Sequence, residues 1–444
     1  MIIEDLHARL MEHANKGLTA IVSQKSSYSY EELLSSIENM RCILKKRYSS
    51  RRCIIIKGDY GIDSIAMFWA GLLEAFIVLP QTHSSLADSV VVEISDADLI
   101  YDAQLGIFSS VSNTKSSKGI HDLIACNHAG IIILSSGSTG NPKAVLHDAD
   151  KLLSKYKSSR KGYTTLATML FDHIAGIDIM LYTLCAGGTL VVSDSRNPQK
   201  LIDTAIAYRV EVIPASPSLL QLMLIEESFR PECMPNLKII TFGSEFMTDT
   251  VKERVTSRFQ PHVTVAQKYG ITEIGNPATV TKKDDPSYFK FKEGLLEYKI
   301  VNDVLHIKSM SSMLGYLYRD HVEAFDGWFD TQDKVEVDGV WIKILGRVTD
   351  IINVGGQKVY PSEVESVLQS MDNVKDASVH GAKNPIMGSV VSAKVCLYEA
   401  ESMASFKKRM RVFCKSKLEP YKVPVSVEIV DYLEMSGRYK KVRK

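Results

Sequence analysis

Along the chain, short aliphatic runs alternate with stretches whose apolar positions recur every three to four residues, the periods of buried strands and amphipathic helices. Residues 1–16 mix acids and bases on a helical spacing and predict an amphipathic helix. Tyr28-Ser29-Tyr30-Glu31-Glu32-Leu33 opens a second helix, with a serine placed to cap it. Residues 52–58 form a strand that ends in a turn, and a helix over 62–75 leads to the apolar run 76–80. The longest apolar stretch, 65–80, holds Glu74 and is too short to span a bilayer, so it is expected to be a buried helix. Residues 131–134 are four aliphatics in a row, a buried strand; 148–160 is a charged amphipathic helix. The run 210–217 predicts a strand broken by prolines, and 237–245 a buried strand opening into a tight turn. Alternation about Asn302-Asp303 (297–307) predicts a short hairpin or meander, and the pattern repeats about Asp338-Gly339 (335–344). Beyond Gly346-Arg347 come a proline-led helix (361–371), strands near 377–380 and 390–397, a helix (402–417) and a last strand (425–430).

This order predicts an α/β fold: a large N-terminal domain (1–346) of α/β subdomains with mostly parallel sheets, and a small α+β domain (347–444). A length of 444 residues agrees with two or more domains. With 45% hydrophobic and 24% charged residues the chain has the composition of a soluble globular protein. A formal charge of +1 gives no reason to invoke nucleic acid, and the basic stretch 440–444 is short enough for a solvated tail. Seven scattered cysteines without CxxC spacing favour reduced thiols and a cytoplasmic setting over disulfides or zinc. No signal peptide and no membrane segment are expected.

The chemistry concentrates after the strand 131–134. Ser135-Ser136-Gly137-Ser138-Thr139-Gly140-Asn141-Pro142-Lys143 combines hydroxyl donors, glycines that let backbone N–H groups turn inward, and a mobile cation, which suits phosphate oxygens. It is not a Walker loop, since Asn141-Pro142 separate Gly140 from Lys143. A flexible serine-glycine surface loop is the plain alternative.

That loop, with His147 four residues on, resembles the signature loop of the adenylate-forming (AMP-binding) enzyme superfamily, which includes acyl- and aryl-CoA synthetases. Four further stretches resemble the family's in the same order: Gln267-Lys268-Tyr269-Gly270-Ile271-Thr272-Glu273, Gly327-Trp328-Phe329-Asp330-Thr331-Gln332-Asp333, Gly346-Arg347-Val348-Thr349-Asp350, and the segment from Asn353 through Gly355-Gly356 to Glu365. The resemblance implies ATP-dependent activation of a carboxylic acid to an acyl-adenylate, with transfer to the thiol of CoA or of a carrier-protein phosphopantetheine. It assigns the phosphates to Thr139 and Lys143 with the rest of the loop, the α-phosphate to Thr272, and Mg²⁺ to Glu273. It places Gly243-Ser244-Glu245 and Tyr269-Gly270 beside the nucleotide, and Asp333 and Arg347 on the ribose, with Gln332 where the family carries glycine. Asp350 takes the hinge position of a mobile small domain.

On the substrate side the resemblance places His173, Gly176 and Gly275, with Gly355-Gly356 lining the thiol's passage. Phe171-Asp172 superficially fits a pattern that holds an α-amine, but the spacing to Gly187-Gly188-Thr189 fits when His173 is matched to the acyl-CoA synthetase histidine. At the C-terminal motif either Lys440, in register with Arg443, or Arg438, after Gly437, matches the catalytic cation; a compact ammonium favours Lys440. Expected partners are a small carboxylic acid and an acyl carrier protein as the other acceptor. Amide formation with an amine, or a non-catalytic nucleotide-binding relative, are the competing readings.

Overall fold

A computed structural model describes the chain except residues 1, 51, 83–87, 112–116, 137–141, 159, 293, 295, 318–326, 386, 436–440 and 442–444, and the side chain of Ser136. Helix starts follow local chemistry. Ser29 caps Tyr30–Arg47 by accepting from the Glu32 amide, while the Glu32 carboxylate accepts from the Ser29 amide at 2.7 Å. The apolar run 65–80 is not one helix. It divides into the helix Ile62–Leu73 and the strand Ile77–Gln81, because Ala75 takes a left-handed φ of 55° between them. The expected helix at 148–160 is likewise shorter: Ala149–Leu153, tightening into a 3₁₀ turn at Ser154–Lys157.

Two seven-stranded sheets carry the large N-terminal part. One runs Thr264–Gln267, Ile239–Phe242, Val212–Ala215, Thr164–Leu166, Thr189–Val191, Thr19–Val22, Ser27–Ser29, parallel except for its last pair. The other is parallel through Gly130–Ser136, Ile77–Gln81, Cys53–Lys57 and Leu99–Asp102, with antiparallel pairs at both edges. Its strand Gly130–Ser136 pairs antiparallel with Pro142–Asp148, setting Ser135 opposite Lys143. The helix Ile62–Leu73, with Phe68 and Trp69 fully buried, lies in the main core. A six-stranded sheet is antiparallel throughout and contains both expected strand pairs, Leu296–Val301 with Val304–Ser309 and Phe329–Asp338 with Trp341–Arg347. Only the first sheet is therefore mostly parallel; the second is mixed, with three parallel pairs at its centre and three antiparallel pairs toward its edges.

The small C-terminal part has its own core, from Ile352 to Val427, between a five-stranded sheet and the helices Pro361–Gln369 and Met403–Lys415. It meets the large part through buried polar side chains. Gln369 donates to Gln221 Oε1 and to Asp376 Oδ1, both at 3.0 Å, and accepts from Thr248 at 2.7 Å.

Candidate active site

The carboxyl ends of two neighbouring parallel strands, Ile239–Phe242 and Thr264–Gln267, release Gly243-Ser244-Glu245 and Lys268-Tyr269-Gly270 into a cleft of about 360 Å³. Its far wall is Asp333, Gly346, Arg347 and Asp350, closed by Tyr360, Pro361, Ser362 and Lys441 of the small part. Glycine is needed where the two segments cross. A Cβ on Gly243 would stand 2.4 Å from the Lys268 carbonyl oxygen, and one on Gly270 would stand 1.6 Å from Asn276 Oδ1.

Cross-strand pairing puts Asp333 opposite Arg347. Arg347 Nε donates to Asp333 Oδ1 at 3.3 Å and Tyr269 Oη to Oδ2 at 2.8 Å. Burial outweighs these partners and holds the Asp333 carboxyl above the usual range. Gln332, in the glycine position, adopts φ 60° and donates to the Asp330 carboxylate through its amide and its side chain (2.9 and 2.6 Å). The turn survives the substitution with its left-handed backbone intact.

The stretch 137–141 lies outside the described residues, so the structure gives no position for Gly137, Ser138, Thr139 or Gly140. Lys143, at its downstream edge, stands over the Tyr316 ring with 4.7 Å to the centroid, and Tyr316 Oη donates to Glu273 Oε1 at 2.9 Å. Strand Gly315–Leu317 pairs with Pro142–Asp148 to bring these groups together. His147, fully buried, donates through Nε2 to the Thr272 carbonyl at 2.8 Å. Burial pushes its pKa down to about 4, so the imidazole is neutral and fixes the Thr272-Glu273 backbone against the hairpin. Glu273 offers a carboxylate that accepts from the Tyr316 phenol. Mg²⁺ prefers one or two carboxylates with phosphate oxygens and water, and the Glu273 carboxylate fits that first requirement.

A second cavity of about 70 Å³ shares Ser244, Lys268, Tyr269 and Gly270 with the cleft. His173, Asp178, Phe242 and Asn276 line it. His173 caps the helix Ile174–Cys185, its Nδ1 accepting from the Ala175 amide at 3.2 Å. Asp172 is absent from the lining and instead accepts from Thr82 Oγ1 at 2.6 Å. Of the two residues weighed for this pocket, the geometry selects His173.

The profile of the AMP-binding enzyme family matches residues 73–316, and that of the AMP-binding enzyme C-terminal domain matches 363–440. The chain belongs to the AMP-binding enzyme family. A 2-succinylbenzoate–CoA ligase of Geobacillus sp. (strain WCH70) is 27% identical over 347 residues, 70% of this chain and 67% of the relative. One from Listeria innocua is 26% identical over 94% of this chain and 93% of its own. Among solved structures, an anthranilate CoA ligase in complex with anthranoyl-AMP superposes with TM-score 0.81 at 18% identity, covering 99% of this chain and 95% of that one. The o-succinylbenzoate CoA synthetase of Bacillus subtilis, with ATP and magnesium ion, gives 0.76 at 20%, covering 98% of each. At such identities these structures speak for the fold.

Within this AMP-binding enzyme, several expected residues stand apart from the cavities. Gly176 does not line the small pocket, and a Cβ there would lie 1.9 Å from the Leu170 carbonyl oxygen. Gly275 turns the chain at φ 81° after Glu273, and Gly355-Gly356 (φ 55° and 87°) form the two-residue turn between strands Ile352–Val354 and Gln357–Val359. Lys440 and Arg438 lie outside the described residues. The neighbouring Lys441 is placed: it lines the cleft and donates to Asp376 Oδ1 at 2.6 Å and the Ala377 carbonyl at 2.8 Å. Sequence reasoning missed Tyr316, Lys268 and Lys441 as site residues. Lys268 lay inside a recognised motif, and its charge between a buried strand and Tyr-Gly was the available signal.

Proposed function

We propose that this AMP-binding enzyme is an ATP-dependent acid–thiol ligase, acting on a small acyl or aryl carboxylic acid related to those of the 2-succinylbenzoate–CoA ligases it resembles. A carboxylate oxygen attacks the α-phosphorus of ATP, the bond to the bridging oxygen breaks, and pyrophosphate leaves; the product is the acyl-adenylate. The thiolate sulfur of CoA then attacks the acyl carbon and AMP departs with the anhydride oxygen. The observation that carries this reading is the shared wall. Ser244, Lys268, Tyr269 and Gly270 border both cavities, so an acid in the small pocket presents its carboxylate to a nucleotide in the large one.

In this scheme Asp333 accepts the ribose hydroxyls, oriented by Tyr269 and Arg347. Lys143 and the serine-glycine loop hold the outer phosphates, and Thr272 donates to the inner one. Two anions must meet, so oriented donors and positive charge contribute most to the rate. Glu273 would hold Mg²⁺, which supplies charge neutralisation across the phosphates when bound. Lys440 delivers the cation that joins carboxylate and α-phosphate. The small domain, from Arg347 onward, pivots near Asp350 between the two half-reactions, and the second orientation brings Gly355-Gly356 to the thiol. The acceptor is CoA, with a carrier-protein arm presenting the same thiol as the alternative. The seven cysteines, free in the structure, support a cytoplasmic setting.

ATP–pyrophosphate exchange with a panel of acids tests the reading, and tight ATP binding with no exchange on any acid overturns it. Lys440→Ala should abolish exchange yet spare thioester formation from supplied acyl-adenylate. Retained exchange in Lys440→Ala, with loss in Arg438→Ala, moves the role to Arg438.

A further inference from the structure

Among the described residues, Lys268 is the one cation on the wall shared by the two cavities. Its backbone carbonyl lies against Gly243, where an added Cβ would stand 2.4 Å from the oxygen. Its side chain stays accessible, while the surrounding protein removes enough hydration to lower its pKa below the ordinary lysine value. The acid whose charge acts on it is Asp178, but that carboxylate is already engaged by Lys155, Tyr156 and Asn276. Arg160, Lys155 and Lys292 add further positive charge around it. Among the described residues no carboxylate lies within ion-pair distance of Lys268. A lysine held in this way is poised for an anion that arrives with the ligand.

The size of the small pocket narrows where that anion sits. About 70 Å³ is well below the ~150 Å³ of an apolar cavity that admits benzene. Part of any ring or branched acid therefore extends along the shared wall, past Lys268. We propose that Lys268 selects acids bearing a second carboxylate, pairing with that group while the first is activated. The proposal rests on the ligase reading above and deepens it. Lys268 acts here as a specificity-determining residue, and the phosphates of ATP are the competing occupant of its charge.

The test compares matched probes, phthalate against 2-methylbenzoate and succinate against butyrate, by ATP–pyrophosphate exchange in the full chain. The native protein should favour the dicarboxylate of a pair by about tenfold to a hundredfold in kcat/KM, the range of one charge-assisted hydrogen bond. Lys268→Met should erase that preference through the acid's KM, leaving the KM for ATP within about twofold. Lys268→Gln, which keeps the length and a donor without the charge, should recover only a small part of it. Exchange with monocarboxylates alone, or a preference unchanged in Lys268→Met, overturns the assignment while leaving the ligase reading standing. A raised ATP KM in Lys268→Met with an unchanged acid preference gives the lysine to the nucleotide instead. No exchange with any acid, with ATP still bound, removes the ligase reading and this one together.

Discussion

Two residues show how single positions carry the site. Gln332 occupies a left-handed turn that costs an L-residue about 1–2 kcal/mol, partly offset by its bonds to Asp330. Gln332→Gly removes that strain but loses the side-chain bond and adds ~0.5–1 kcal/mol of backbone entropy. Its unfolding free energy should stay within about 1 kcal/mol of the parent, with an unchanged KM for ATP. Gln332→Val, β-branched in the same backbone, should lose more than about 2 kcal/mol and raise the KM for ATP, because Asp333 follows directly. Chemical denaturation and nucleotide titration check both. His147 sets a pH dependence. Its folded pKa, about 4, lies below the unfolded value near 6.5, so the unfolded chain binds more protons in that window. Its share of stability is intact above pH about 6.5 and is lost as pH falls toward 4, by up to about 3 kcal/mol. His147→Gln should flatten the stability profile across that window, measured by urea midpoints at successive pH values.

At the scale of elements, the helix Ile174–Cys185 connects packing to the acid pocket. Gly176→Ala would drive a methyl into the Leu170 carbonyl and to 2.7 Å from Tyr60 Oη. Overpacking of this kind costs roughly 1–3 kcal/mol or more. The segment from Leu170 to His173 must shift to relieve it, so the acid's KM should rise while that for ATP holds; a fall in melting temperature with both KM values unmoved would place Gly176 outside this coupling. The reason for this glycine was not legible in the sequence, where it read as a pocket residue, because Leu170 and Tyr60 meet it only in the folded chain. Local signals fared better. The Ser29 cap and the strand pairs about Asn302-Asp303 and Asp338-Gly339 depend on residues a few positions apart, and each formed as read. The Lys143–Tyr316–Glu273 grouping was invisible, since it needs Gly315–Leu317 to pair with a strand roughly 170 residues earlier. The apolar run 65–80 misled for a related reason: periodicity measures burial, and a buried helix and a buried strand in succession look alike until a turn is placed between them.

For the whole molecule, the interface between the large and small parts is polar and centred on Gln369, which is 8% exposed. Its bonds to Thr248 and Gln221 cross to the large part and the third, to Asp376, stays within the small part; each is worth about 1 kcal/mol. Thr250 adds a bond to the Ser366 carbonyl at 2.9 Å, and Gln221 one to the Lys375 carbonyl at 3.0 Å. A polar interface of this kind can part and re-form, because each group exchanges its partner for water, whereas a hydrophobic one would resist opening. Loss of the two bonds that cross to the large part, about 2 kcal/mol together, moves a two-state balance by roughly thirtyfold. If the small domain pivots near Asp350, Gln369→Ala depopulates the arrangement described here, in which Lys441 lines the nucleotide cleft and lies beside Lys440 in the chain. Exchange of pyrophosphate into ATP should then slow, while thioester formation from supplied acyl-adenylate stays level or quickens. Asp376 keeps its pairing with Lys441 in that variant, so the small part should still unfold near its parental midpoint. Equal slowing of both half-reactions would mean that the interface is a fixed support, and that the two steps share one arrangement of the domains.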